Sequence, residues 1–228
     1  MTRRTNARVA GFTFLFYIAV ALTGMILANN AVSGEGTAAK LANIAQHATS
    51  VRVAVVLELL GCFSALVLAV TLYAITRDQD PDLAMRAMIC RVAEGVIGAD
   101  SLSRALGRLW LATASGPEAP DPASANALAA VLLKLPGGWS VNAIFFAVGS
   151  LLFSYLLLRG RMIPVALAWV GVVASILAVV VLPLELVGVL RGPITQLVWL
   201  PMLVFEVTFA LWLLVKGAAR PPRNQAPA

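Results

Sequence analysis

The most chemically suggestive stretch of the chain is residues 88–110, MICRVAEGVIGADSLSRALGRLW, in which charged side chains interrupt an apolar background. The charged residues are Arg91, Glu94, Asp100, Arg104 and Arg108. On an α-helix with about 100° between successive residues, all of them lie within one half of the circumference, and the other half carries Val, Ala, Ile and Leu. We therefore predict a helix whose charged side faces other helices instead of lipid.

Other apolar segments also carry acids, at Glu58, Glu185 and Glu206. Each would cost about 2.5 to 3.5 kcal/mol at the centre of a bilayer, so the acids are expected to meet a base, one another or water. Glu58, Glu94 and Glu206 are the deep acids by position, and Arg91 is the deep base. One carboxylate can pair bidentately with this guanidinium, and another, desolvated beside a like charge, should retain a proton near neutrality.

A neutral carboxylic acid in an apolar cavity is suited to general-acid chemistry on a lipid-like substrate. We predict Glu94 or Glu206 as the proton donor, Arg91 as the group that orients the partner carboxylate, and Glu58 as the completing member. The same acid would serve a proton-coupled carrier. Buried ion pairs also serve to fix helix register, and Arg91 with Glu94 forms an i, i+3 pair, so a purely structural use stays open as well.

Further side chains are candidates for contacting a bound molecule. Trp199 lies within about 20° of Glu206 on its helix and could stack on a carbocation or cationic group, although tryptophan more often packs or sits at the membrane interface. Asp100 and Arg104 on the charged face, and Glu185 in the next apolar segment but one, complete the set of predicted binding residues.

The elements that position these residues follow from composition. Of the 228 residues 60% are hydrophobic and 12% charged, and the mean hydropathy is +0.88, which a water-soluble domain could not carry on its surface. About 20 helical residues cross a hydrocarbon core, and continuous apolar runs without alternation indicate helices. We predict an all-α, polytopic six-helix bundle forming a single domain over 1–228. Its spans are 9–28, 51–76, 83–112, 138–158, 162–190 and 195–215.

The distribution of the 17 Lys and Arg predicts orientation. One side holds Arg3, Arg4, Arg8, Arg77, Arg86, Arg159, Arg161, Lys216, Arg220 and Arg223. The other side holds Lys40, Arg52, Lys134 and Arg191. This bias predicts that both termini lie in the cytoplasm. We expect the protein to lie in the inner membrane of the cell. We interpret the net charge of +6 mainly as the signal that orients the spans, carried by a solvated rim beside the lipid headgroups. We do not interpret it as a nucleic-acid-binding surface.

The predicted loops differ between the two sides. Residues 29–50 and the segment after GPEAPDPAS both place apolar residues on one helical face, which predicts two short amphipathic helices on the outer side. The inner loops at 77–82 and 159–161 are too short for a soluble domain. Arg3 and Arg4 precede an apolar run as in a secretory signal, but the run is of span length, and we expect it to remain as the first helix.

The sequence gives little support for a metal or a cofactor. Cys62 and Cys90 lie inside predicted spans and form no C-x-x-C pair, which argues against a disulfide or thiol-redox site. His47 is the single histidine and has no cysteine or acidic cluster beside it, so neither haem nor zinc is indicated. The aspartates of RDQDPD at 77–82 alternate across a proline turn, unlike the helical aspartate pairs of metal-dependent prenyltransferases. We predict no metal and no cofactor.

Four segments carry a family resemblance: RVAGFTFLFYIAVALTG at 8–24, SVRVAVVLELLG at 50–61, RVAEGVIG at 91–98 and ALWLLVKG at 210–217. In their order and spacing they resemble the bacterial six-span membrane family catalogued as domain of unknown function 4386, over about residues 6–217. The resemblance implies the six-span architecture and no activity. The family's polar signatures correspond to Arg52, Arg91, Glu94 and Lys216.

A second likeness concerns VLPLELVG at 181–188. It is similar to the proline and glutamate segment of membrane-embedded lycopene cyclases, which protonate an isoprenoid with carboxylic acids and no bound metal. The match covers Pro183 and Glu185 and lacks the paired acids that usually follow the proline. We predict a site for a hydrophobic small molecule, with acid catalysis on a lipid or isoprenoid as the leading function. The alternatives are a small proton-coupled transporter or a non-catalytic membrane partner.

Overall fold

The computed structural model describes residues 1–117, 119–134 and 138–221, and these residues contain helices and no strand. The helices are α1 Arg3–Ala31, α2 Gly36–Gln46, α3 Ala48–Thr76, α4 Pro81–Thr113, α5 Pro122–Lys134, α6 Gly138–Arg159, α7 Val165–Leu186, α8 Pro193–Leu197 and α9 Trp199–Val215. Five of the helical segments are long and apolar enough to cross a membrane, which indicates a multi-pass membrane protein. They are Arg3–Ala31, Ala48–Thr76, Val141–Arg159, Val165–Leu186 and Thr195–Val215.

The predicted elements occur with shifted ends. The first helix is longer than predicted, since it begins at the N-cap Thr2, whose hydroxyl accepts from the Thr5 amide over 3.1 Å. The fifth predicted span ends early, at Leu186, because a turn follows in which Gly188 has a φ of +75°. The last predicted span is divided between α8 and α9. Short helices α2 and α5 occupy the two loops in which amphipathic helices were expected.

Six long helices form a closed ring in the order α1, α3, α4, α6, α7, α9, with α9 returning to pack against α1. Buried apolar side chains from all six helices face the interior of this ring, and its largest fully buried members include Leu72, Leu156 and Phe209. Large apolar side chains on the opposite faces are exposed, such as Val70 on α3 and Val180 on α7. An apolar exterior around a packed interior suits helices surrounded by lipid.

Glycines set the closest approaches between helices. A Cβ on Gly11 of α1 would lie 2.6 Å from the carbonyl oxygen of Ala210 in α9, and a Cβ on Gly95 of α4 would lie 2.9 Å from that of Cys62 in α3. Such contacts leave no room for a side chain, as is common where membrane helices pack backbone to backbone. The ring is therefore tight at both the α1–α9 and the α3–α4 junctions.

Helix α4 begins with a strong capping arrangement. Asp80 is the N-cap residue, its Oδ1 accepts from the Leu83 amide over 3.0 Å, and Pro81 occupies the first helical position. The other carboxylate oxygen of Asp80 lies 3.4 Å from Arg159 Nη1 at the end of α6. This junction fixes where α4 starts and therefore the depth at which its charged residues lie.

Candidate functional site

The interior of the ring holds a cluster of three charged side chains, Arg91 and Glu94 from α4 and Glu206 from α9. Arg91 Nη1 donates to Glu94 Oε2 over 2.7 Å, and Arg91 Nη2 lies 3.5 Å from Glu206 Oε1. The residues are only 1%, 2% and 6% exposed. We call these three residues the Arg91 cluster. It brings together three of the four residues predicted to act as acids or as their orienting base.

Tyr17 of α1 completes the polar contacts of the cluster, and the sequence reasoning missed it. Its hydroxyl donates to Glu94 Oε1 over 3.0 Å, so both oxygens of Glu94 are engaged, one by Arg91 and one by the phenol. A tyrosine in the middle of a predicted span, within the segment at 8–24, was the available signal. A buried phenol needs a hydrogen-bond partner, and a carboxylate in the same bundle is an obvious acceptor.

Aromatic rings enclose the guanidinium on other sides. The Cζ atom of Arg91 lies 4.6 Å from the ring centre of Phe146 in α6 and 5.6 Å from that of Phe14 in α1. Both distances are within the range of cation–π attraction. Trp199 follows one layer further, with its ring centre 5.9 Å from that of Phe146. The cation is thus held by two carboxylates and two aromatic faces drawn from α1, α4, α6 and α9.

Close helix packing explains why the stem of Arg91 can lie in the interior. A Cβ on Gly149 of α6 would lie 3.2 Å from the Cβ of Cys90 and 3.4 Å from the Cγ of Arg91. Glycine at this position therefore leaves the space through which the arginine stem passes. Gly95 performs the matching role on the α3 side, so α4 is embedded between two neighbours at the level of the cluster.

Charge and hydrogen bonding within the Arg91 cluster are both incompletely balanced. Two carboxylates surround one guanidinium, so full ionisation would leave a net negative charge in a desolvated place. Arg91 Nε and Glu206 Oε1 have no hydrogen-bond partner among the described residues. Buried polar atoms of this kind usually have a partner, so these two mark where water or a polar ligand atom would bind.

Glu58 is placed elsewhere, contrary to the expectation that it would complete the Arg91 cluster. Its Oε1 accepts a hydrogen bond from Ser101 Oγ, seven residues and about 10 Å along α4 from Glu94. Its nearby positive charges are Arg104 and Arg108, not Arg91. The physical reason is register: α3 and α4 pack antiparallel side by side, and residue 58 meets α4 at the level of Gly98 and Ser101.

A second polar group therefore lies on α3 and α4, which we call the α3–α4 polar cluster: Glu58, Ser101, Arg104 and Arg108. Asp100 forms an i, i+4 ion pair with Arg104, and its side chain is 63% exposed. Asn142 of α6 approaches this level, because a Cβ on Gly98 would lie 3.0 Å from its Nδ2. The charged face of α4 thus serves two separate clusters.

Glu185 lies away from both clusters. It is partly exposed at the end of α7, where its backbone carbonyl accepts from the Gly188 amide over 2.9 Å. Its carboxylate makes no hydrogen bond or ion pair with any residue that the structure describes. No group of three or more His, Cys, Asp and Glu that could hold a metal ion occurs in the described ranges.

A family model, Domain of unknown function (DUF4386), matches residues 9–217. No curated protein and no solved structure matches the chain significantly. The family match covers all six long helices except the first turns of α1, and thus every residue of both clusters. The chain belongs to the DUF4386 family.

Proposed function

We propose that the chain is a six-span protein of the bacterial cytoplasmic membrane, with α4 as the third span and both termini in the cytoplasm. The 33 residues of α4 extend about 50 Å, ample for a bilayer. Its exposed residues include the apolar Ile89 and Val96 as well as Asp100, while Arg91 and Glu94 are buried. The loop helices α2 and α5 then lie on the outer side. The first and last spans meet at the cytoplasmic end, where the cations concentrate.

Within this architecture, the Arg91 cluster serves as a proton-donating site for a hydrophobic or amphiphilic small molecule. The observation that carries the proposal is the convergence of two carboxylates from different helices on one buried guanidinium. Glu206 is the donor, because its contact with Arg91 is the longer one and because Glu94 is already held by Tyr17. A polar atom of the ligand would accept from Arg91 Nε.

The reaction class best suited to this arrangement is an acid-catalysed isomerisation or cyclisation of an isoprenoid or related lipid. The protonated carboxyl of Glu206 transfers its proton to a carbon–carbon double bond, which forms a C–H bond and a carbocation. The cation then loses a proton from a neighbouring carbon to the carboxylate, so the carboxyl is regenerated and no oxidant or reductant is consumed. The rings of Phe146 and Trp199 would stabilise the positive charge.

The experiment uses the full chain purified in mild detergent and incubated with a bacterial lipid and isoprenoid extract, with products identified by mass spectrometry. We expect a product that is of the same mass as its precursor and is lost in Glu206→Gln. Glu35→Gln removes an exposed carboxylate instead and should leave the product unchanged. Product formation by a folded Glu206→Gln variant, or no isomeric product from the wild type, would overturn the chemistry.

A second function, a proton-coupled carrier, is favoured by the α3–α4 polar cluster. That cluster begins at Ser101, about two helical turns beyond Glu94 along α4, and extends to Arg108, about four turns beyond it. In proteoliposomes, a carrier predicts proton movement that depends on the lipid extract and is abolished by both Glu206→Gln and Glu58→Gln. If the protein is an enzyme, product formation should be lost in Glu206→Gln and change little in Glu58→Gln. The two functions are therefore distinguishable.

A further inference from the structure

A basic cleft lies at the end of the bundle where the two chain ends meet. It has a volume of about 450 Å³, and its lining includes Thr2, Arg3 and Arg4 at the start of α1 and Lys216, Gly217 and Arg220 just after α9. We propose that this cleft binds a phosphate oxyanion, presented by the headgroup of an anionic phospholipid. The proposal is independent of the Arg91 cluster, which lies in the interior of the ring.

The charges around the cleft are of one sign. Among the residues that the structure describes, four cationic side chains and no carboxylate line the cleft, and the guanidinium of Arg220 lies near enough to Arg3 to repel it. Among these four cations, Asp78 forms an ion pair with Arg3, at 3.3 Å from Nη1, and its other oxygen lies 4.0 Å from Arg77 Nε outside the cleft. Crowded like charges without an internal counterion are stabilised by a bound anion. The composition of the cleft thus favours an anionic ligand.

Arg3 builds the wall of the cleft and leaves the other cations available. Its three side-chain nitrogens contact Asp78, the sulfur of Met162 at 3.2 Å and the carbonyl of Ala218 at 3.3 Å. Arg4 and Lys216, by contrast, are exposed and make no hydrogen bond or ion pair with the described residues. They can turn toward an oxyanion without breaking any contact of the fold.

Backbone donors point to the same chemistry. Thr2 caps the Thr5 amide, and the next amide, of Asn6, donates to the Thr2 carbonyl over 3.0 Å, the first bond of α1. The amides of Arg3 and Arg4 therefore have no intrahelical acceptor. Free amides at a helix N-terminus bind phosphate oxygens, and here they lie beside four cations instead of alone.

The depth of the cleft indicates why a lipid is the source of the phosphate. The candidate span of α1 begins at Arg3 and that of α9 ends at Val215, so the cleft lies where the apolar segments end. In a bilayer the headgroup region begins at the ends of the apolar segments. Val215 is 69% exposed directly beside Lys216, which offers apolar surface to the first part of an acyl chain. A free phosphate would use the cations alone.

The test titrates the full chain, purified in a neutral detergent, with phosphatidylglycerol and with phosphatidylcholine, and counts the lipids retained by native mass spectrometry. We expect preferential retention of phosphatidylglycerol. Arg4→Gln/Lys216→Gln should weaken it about tenfold or more, since each substitution removes a direct charge-assisted hydrogen bond to the phosphate. The matched pair Arg86→Gln/Arg161→Gln, which removes two exposed cations from the same end but outside the cleft, should change it less than about twofold.

Equal losses in the two double variants would overturn the proposal, because they would mean diffuse attraction by net charge. Arg4→Lys/Lys216→Arg keeps both positive charges. If this variant retains phosphatidylglycerol as the wild type does and has a similar unfolding temperature, the proposal is supported. Inorganic phosphate is the arm that separates the two sources. Failure of millimolar phosphate to displace the lipid supports the headgroup, whereas full displacement without any preference for phosphatidylglycerol overturns the lipid as the source.

Discussion

Arg91 and Glu94 form a complete pair within a single helix, since Nη1 of the arginine donates to Oε2 of the glutamate over 2.7 Å at a spacing of three residues. The second carboxylate comes from α9 and lies further away, at 3.5 Å. Glu94 also receives the phenol of Tyr17, whereas Glu206 Oε1 has no hydrogen-bond partner among the described residues. The two acids are therefore inequivalent, and Glu206 is the one that we expect to exchange partners when a ligand enters.

Removing the positive charge of Arg91 should strongly lower the stability of the protein. In Arg91→Met, two buried carboxylates lose their shared partner, and we expect the free energy of unfolding to fall by about 3 to 5 kcal/mol. Thermal or denaturant unfolding of the purified protein in detergent measures this. Arg86→Met, at an exposed position of the same helix, is the matched control. Adding Glu94→Gln and Glu206→Gln to Arg91→Met should recover part of the loss, and no recovery would contradict the charge argument.

The hydroxyl of Tyr17 can be tested by a single-atom change. Tyr17→Phe removes one donor to a buried carboxylate and should lower the free energy of unfolding by about 1 to 3 kcal/mol. Tyr155→Phe provides the comparison, because that tyrosine is 45% exposed and its hydroxyl bonds to no described residue. Equal stabilities of the two variants would show that the contact with Glu94 contributes nothing.

The close approach of α1 and α9 predicts a steric effect. Gly11→Ala places a methyl group 2.6 Å from the carbonyl oxygen of Ala210, and overpacking of this kind costs about 1 to 3 kcal/mol. Gly61→Ala is the control, since its Cβ would meet nothing closer than 3.9 Å. There the better helix propensity of alanine should leave stability unchanged or slightly higher. Unfolding curves that coincide for the two variants would contradict this packing.

The start of α4 predicts a capping effect. Asp80→Ala loses both the acceptor for the Leu83 amide and the ion pair with Arg159, and we expect a loss of about 1 to 2 kcal/mol in unfolding free energy. Asp82→Ala removes an exposed carboxylate from the same first turn without either contact. Asp80→Asn should retain most of the stability because asparagine caps equally well. A loss in Asp80→Asn as large as in alanine would assign the effect to the ion pair instead.

Local and compositional signals were sufficient for much of the fold. Long apolar runs predicted the long helices, and the family resemblance is confirmed by the match over residues 9–217. Element ends shifted where caps and turns decide them, as at Thr2 and Gly188, because hydropathy is insensitive to such contacts. The angle between Arg91 and Glu94 around the helix predicted that both face the interior of the bundle. Residues three apart share a face of any α-helix, whatever its neighbours are.

Contacts between helices were harder to predict. Glu58 was assigned to the Arg91 cluster from its depth alone, but the offset between α3 and α4 depends on where glycines allow backbones to touch, as at Gly95. Tyr17 was overlooked because its role depends on the position of α1 in the ring, between α3 and α9, from which the side chain reaches Glu94 of α4; no spacing within either segment encodes this position. The depth of a residue along its own span can be estimated from the sequence. The rotation and shift of one helix against another cannot.

The i, i+3 spacing of Arg91 and Glu94 also bears on biogenesis. If helices enter the bilayer in chain order, α4 arrives long before α9, and its arginine must then wait in lipid without Glu206. A partner on the same helix is present from the moment of insertion, so the translocating segment carries a neutral pair instead of a bare cation. Glu94 would thus lower the cost of inserting its own helix into the bilayer. Exchanging it for an uncharged residue should reduce the yield of membrane-integrated protein even where the finished bundle is stable.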